Sequence, residues 1–161
     1  MLQWRQREAE FKLKYWEDGN LSDKSDKLKV LFLCTGNSAR SQMAEGFLRE
    51  YGKDRFEVYS AGIAPAGVNP NAIAVMKEIG IDISNQTSDL IDMELLKQVD
   101  LLITLCGDAR ENCPFVPVKV EKRHWALDDP ARAEGSAEEV LNRFREIRDQ
   151  IKQHVLDLVE Q

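Results

Sequence analysis

From residue 28 onwards, short runs that are apolar throughout alternate with longer segments whose apolar residues recur at helical spacing. Residues 30–33 (Val, Leu, Phe, Leu) read as a fully buried strand. In residues 41–51, Met43, Ala44, Phe47 and Leu48 form one apolar stripe, so this segment is predicted to be a helix. Residues 56–60 read as a second strand. Pro70 is suited to the first turn of a helix that continues through Ala72, Val75, Met76 and Ile79 and closes at Gly80. Asp92 caps a short helix leading into a buried strand at 99–105, and residues 118–121 are the expected fourth strand. Ser136 and Glu139 form a capping box for a long final helix. Its stripe is Val140, Phe144, Ile147, Ile151, Val155 and Leu158. This alternation predicts an α/β fold: an open four-stranded parallel sheet flanked by helices on both faces.

Residues 1–28 stand apart as an N-terminal extension, joined through the polar stretch 24–27. Trp4, Phe11 and Tyr15 share a helical stripe, while residues 11–15 also alternate like a strand. A helix and a poorly ordered extension both remain open there. The domain proper is expected at 29–161, and 161 residues with 43% hydrophobic content suffice for one core.

Charge narrows the partners. A net charge of -6 disfavours nucleic acid or an anionic membrane surface. No apolar run approaches the ~20 residues that span a bilayer, and the mixed charges of the first residues contain no signal core. A cytoplasmic protein is expected. Three cysteines suit no secreted disulfide framework, and Cys106 and Cys113 are too widely spaced for a zinc knuckle. That leaves buried spectators or reactive thiols.

Residues 30–46, VLFLCTGNSARSQMAEG, favour a reactive thiol at Cys34. A buried strand ends in Cys34, a loop of small and polar residues follows, and Arg40 opens the next helix. That order puts the loop at the carboxyl edge of the sheet, where ligands of open α/β folds bind. The backbone N–H groups of Thr35, Gly36, Asn37, Ser38, Ala39, Arg40 and Ser41 are expected to form an anion nest, with Gly36 easing the turn. Arg40 can bind two oxygens of a tetrahedral oxyanion in a fork. The positive surroundings favour the thiolate of Cys34, to which Ser41 is placed to donate. No Lys-Ser/Thr pair follows the loop, so it is not a Walker loop.

The stretches CTGNSARSQMAEG, YSAGI, NPNA, GIDISNQTSD, TLCGDARENCP and HWALDDPA resemble the low-molecular-weight protein tyrosine phosphatase superfamily. More closely, they resemble its thioredoxin-coupled arsenate reductase branch. The resemblance implies that Asp129, directly before Pro130, is the general acid, with Asp128 structural. It also implies a relay of three thiols. Cys34 would attack arsenic, Cys106 would then attack Cys34 and release arsenite, Cys113 would take over the disulfide, and thioredoxin would reduce it. If 107–113 were helical, the Cα atoms of Cys106 and Cys113 would lie roughly 10 Å apart. A disulfide allows about 7 Å, so that segment is expected to unwind on oxidation. The alternative within the superfamily is a phosphatase in which Cys106 and Cys113 merely pack. Against it, Ala131 and Arg132 follow Asp-Pro where tyrosines usually flank an aromatic substrate.

Asn37, Glu45, Ser60 and Asp89 match positions that hold a potassium ion in some reductases of this branch. Without a metal, the four would form a polar network behind the loop. His124 is expected to be a hydrogen-bonded structural residue, His154 a solvated helix residue, and Trp125 a packing residue.

Overall fold

The computed structural model describes residues 27–105 and 120–161. Its strands are β1 (Leu28–Cys34), β2 (Phe56–Gly62), β3 (Leu101–Thr104) and β4 (Glu121–His124). Its helices are α1 (Arg40–Tyr51), α2 (Pro70–Lys77), α3 (Met93–Gln98) and α4 (Ala137–Glu160), and a 3-10 turn spans Pro130–Arg132. The four strands pair in the order β2-β1-β3-β4, every pair parallel. The α/β reading therefore holds, with β1 at the centre and Val30, Leu31, Phe32 and Leu33 fully buried. Parallel pairing brings the strands' carboxyl ends to one edge, where Cys34 pairs with Gly62 and Leu33 with Thr104.

Helix α1 packs on β1, β2 and α4, and α2 packs on α4. The capping box of Ser136 and Glu139 opens α4, and Phe144, Ile147, Ile151, Val155 and Leu158 are buried along it. Val140 is only half-buried. Arg148 joins the buried face, where the backbone carbonyl of Val75 (2.9 Å) and Glu78 (3.0 Å) accept from its guanidinium. At the far end of α4, the guanidinium of Arg55 donates to the carbonyls of Val159 and Gln161, and that of Arg123 donates to Gln161 Oε1. No helix among the described residues is long and apolar enough to cross a membrane.

Several expectations are corrected. The fourth strand is 121–124 rather than 118–121, and residues 118–119 fall outside the described set. Its sequence, EKRH, belongs to a half-exposed edge strand, where alternation of apolar residues gives little signal. β3 is confined to 101–104, because Val99 caps α3 and Asp100 Oδ2 accepts from the backbone N–H of Lys29. α2 stops at Lys77, before Ile79, and Gly80 takes the left-handed conformation (φ 82°) beyond it. His154 is not simply solvated. Its ring stacks on Trp125 with centroids 4.9 Å apart, and Trp125 in turn meets Phe32.

Candidate active site

The site is built where β1 runs into α1. Cys34 is buried at the end of β1, and its Sγ accepts from the backbone N–H of Asn37 at 3.2 Å. Ser41 Oγ lies 2.9 Å from the same sulfur and accepts from Asn37 Nδ2 at 2.8 Å. The backbone N–H of Asn37 donates to Sγ, and opposite a thiolate the Ser41 hydroxyl can only donate, so two donors can converge on the sulfur when it attacks. Asn37 is fully buried and left-handed (φ 44°), a conformation asparagine tolerates better than most residues. Gly36 was the expected turning point, yet its φ lies outside the positive range and its surroundings would admit a Cβ.

The carbonyls of the loop are held from outside. Thr35 O accepts from Ala64 N, Gly36 O from Ala66 N, Asn37 O from Gln42 Nε2, and Ser38 O from Asn69 N, all within 3.0 Å. In a trans peptide the next N–H points opposite to the carbonyl, and no cis peptide occurs among the described residues. The N–H groups of Gly36, Asn37, Ser38 and Ala39 therefore point away from those partners, as that of Asn37 does towards Sγ. Asn69, Asp92 and Ser136 cap α2, α3 and α4 with their side chains, but Ala39 offers α1 no such cap. The first amides of α1 thus have no side-chain acceptor at the cap, as suits an anion-binding helix end.

Arg40 is buried beside this cradle. Its Nη1 donates to the carbonyl of Leu127 at 3.0 Å, and its Nη2 lies 3.6 Å from Asp129 Oδ2. The loop carrying the expected acid is thereby tied to the arginine that would hold the oxyanion. Asp129 also caps the 3-10 turn through Ala131 N, whereas Asp128 points outward and pairs with Arg143 at 2.6 Å. Cys106, Cys113, the segment between them and residues 1–26 lie outside the described residues.

Asn37, Glu45, Ser60 and Asp89 come together behind the loop. Ser60 Oγ donates to Glu45 Oε2 at 3.3 Å, and Asp89 N donates to Asn37 Oδ1 at 2.8 Å. Burial raises the Glu45 carboxyl above its ordinary range; Arg49 at 3.0 Å opposes this, and the charge of Asp89 adds to it. Two neighbouring carboxylates with amide and hydroxyl oxygens form a donor set suited to a hard cation.

Sequence reasoning missed two supports. Gln42 is fully buried, bridging Asn37 O and Thr87 O through Nε2 and accepting from Gln86. The Leu127 carbonyl anchors Arg40, and a backbone acceptor leaves no mark in a sequence. His124 is a structural residue as expected, its Nδ1 2.7 Å from Thr104 Oγ1.

Known proteins share this architecture. The arsenate reductase of Bacillus subtilis is 54% identical over 131 residues, covering 81% of this chain and 94% of its own. That of Halalkalibacterium halodurans is 56% identical over 135 residues, covering 84% and 97%. A solved arsenate reductase in its phosphate-binding state superposes with a TM-score of 0.65 at 36% identity, over 83% of this chain and 97% of its own. The thioredoxin-dependent arsenate reductase of Corynebacterium glutamicum gives a TM-score of 0.64 at 28% identity, over 89% of this chain and 66% of its own. The family model for low molecular weight phosphotyrosine protein phosphatases matches residues 29–161, and the chain belongs to that family.

Proposed function

We propose that the protein reduces arsenate to arsenite through an intramolecular thiol relay that thioredoxin regenerates. The Cys34 thiolate attacks arsenic while Arg40 and the loop amides hold the remaining oxygens. Asp129 protonates the oxygen that leaves, and a sulfur–arsenic bond forms. Cys106 then attacks Cys34 Sγ, and the electron pair of the sulfur–arsenic bond passes to arsenic, which departs as arsenite. Two electrons have moved, and Cys34 and Cys106 are joined. Cys113 attacks Cys106, freeing the Cys34 thiolate, and thioredoxin reduces the Cys106–Cys113 disulfide.

The relay needs Cys106 near Cys34, and the observation that supports this is the pairing of β3 with β1, a feature that phosphatases of this fold share. Leu105 N donates to Leu33 O at 3.0 Å, so the chain neighbours of Cys106 and Cys34 are bonded to each other. Relatives above 50% identity that carry the reductase name support it, and the thioredoxin-dependent relative supports the choice of reductant. Potassium belongs to the same proposal. Asn37, Glu45, Ser60 and Asp89 would hold it, and its charge would balance the buried Glu45 and the exposed Asp89 carboxylates beneath the loop.

The test is turnover with thioredoxin, thioredoxin reductase and arsenate. Wild-type protein should turn over continuously, and Cys34→Ser should be inactive. Cys113→Ser should complete about one turnover and stall with Cys34 joined to Cys106, as mass spectrometry would show. Sustained turnover by Cys113→Ser would rule out the relay, and aryl phosphate hydrolysis without arsenate reduction would favour the phosphatase.

A further inference from the structure

The mouth of the site holds a second cation that the relay does not use. Arg132 ends the 3-10 turn, its side chain 80% exposed, with Nε 3.7 Å from Asp129 Oδ2. The same oxygen lies 3.6 Å from Nη2 of Arg40, whose side chain is only 10% exposed. One carboxylate oxygen thus sits between a buried guanidinium of the cradle and a guanidinium that faces water. Neither contact is short enough for a hydrogen bond. An exposed ion pair of this kind is worth little, so Arg132 is free to take a better acceptor. Its neighbour Arg143 is already engaged by Asp128 at 2.6 Å and Glu146 at 2.7 Å. The chain as a whole carries -6 and repels an anion at long range. A cation at the mouth therefore has most to offer on approach.

We propose that Arg132 is a substrate-capture residue, which binds the outermost oxygen of an inorganic oxyanion dianion as it enters the cradle. This deepens the reductase reading and rests on it. A free oxyanion presents an unsubstituted oxygen at the mouth. An aryl monoester presents its ester oxygen and ring there, so Arg132 favours the inorganic anion over the ester.

The experiment compares wild type, Arg132→Ala and Arg132→Lys at two sodium chloride concentrations, one low and one near physiological. Calorimetry reads the binding of inorganic phosphate to the reduced protein, and steady-state assays read arsenate reduction and aryl phosphate hydrolysis. Losing one charge contact at the mouth should weaken phosphate binding and raise KM for arsenate about fivefold at low salt, with kcat little changed. The effect should shrink at the higher salt, Arg132→Lys should restore most of it, and KM for aryl phosphate should change less. Wild-type phosphate binding by Arg132→Ala would overturn the proposal, as would a loss insensitive to salt and not restored by lysine. Phosphate binding that depends on Arg132 in a protein that never reduces arsenate would uphold the capture role and sink the reductase reading.

Discussion

Ser41 Oγ lies 2.9 Å from Cys34 Sγ while accepting from the side chain of Asn37. When sulfur attacks as a thiolate only the hydroxyl can donate in this pair, and Ser41 then holds the nucleophile's charge. Ser41→Ala should slow iodoacetamide alkylation of Cys34 at pH 7 about tenfold, the scale of a hydrogen bond to a charged group. An unchanged alkylation rate would show that the backbone N–H of Asn37 and the cradle suffice.

Gly62 closes β2 against the back of the same loop. A Cβ there would stand 2.7 Å from the Thr35 carbonyl oxygen and 2.8 Å from the Asn37 nitrogen, both backbone atoms that cannot turn aside. Gly62→Ala should therefore displace the cradle, lower arsenate turnover at least tenfold, and cost about 1–3 kcal/mol of stability. Gly36→Ala meets its nearest neighbour at 3.6 Å, an ordinary contact, and should leave the thermal midpoint within about 1 °C. Thermal and chemical denaturation of both variants check the contrast.

Glu45 gives a pH and salt dependence. Burial, with the charge of Asp89 adding to it against Arg49, makes the folded protein hold the Glu45 proton more firmly than the unfolded chain does. Its contribution to stability is therefore largest at low pH and declines as pH rises above the ordinary glutamate range. Glu45→Gln should remove that decline. A bound potassium ion would offset it in the wild type, so replacing sodium by potassium at pH 7 should raise the thermal midpoint by roughly 2–4 °C per kcal/mol of binding linkage. The gain should be absent in Glu45→Gln and Asp89→Ala. Identical melting in the two salts would leave only a polar network.

His154 behaves in the opposite sense. Burial lowers its proton affinity, with Asp157 opposing, so the unfolded chain binds the proton more readily. Stability should then be lost as pH falls below the ordinary histidine value of about 6.5. His154→Phe keeps a ring against Trp125 and should flatten the melting profile between pH 7 and 5. An equally steep loss in the variant would assign it to other groups.

The fold was readable where burial was two-sided or strictly periodic. β1 is apolar on both faces, and the stripe of α4 repeats from Phe144 to Leu158. It was not readable at β4, whose edge position asks only for half-buried polar residues. Cys34 and Arg40 stood out because each is a chemically distinctive residue at one strand-to-helix junction, whereas Asp129 stood out only through the family resemblance. The Leu127 carbonyl and the left-handed backbone of Asn37 were not, since neither needs a particular side chain. His154 was misjudged because its partner, Trp125, lies on another element, and helical spacing reports only the residue's own.

Arg55 and Arg123 reach the same residue, Gln161, from opposite margins of the sheet: Arg55 just before β2, and Arg123 within β4. Strands at the two margins have no neighbour in common and would ordinarily fray independently. Here the end of α4 and Gln161 just beyond it latch both, so loosening of that end releases the two margins together. Hydrogen exchange at the base of β2 and in β4 should accordingly follow a single opening event.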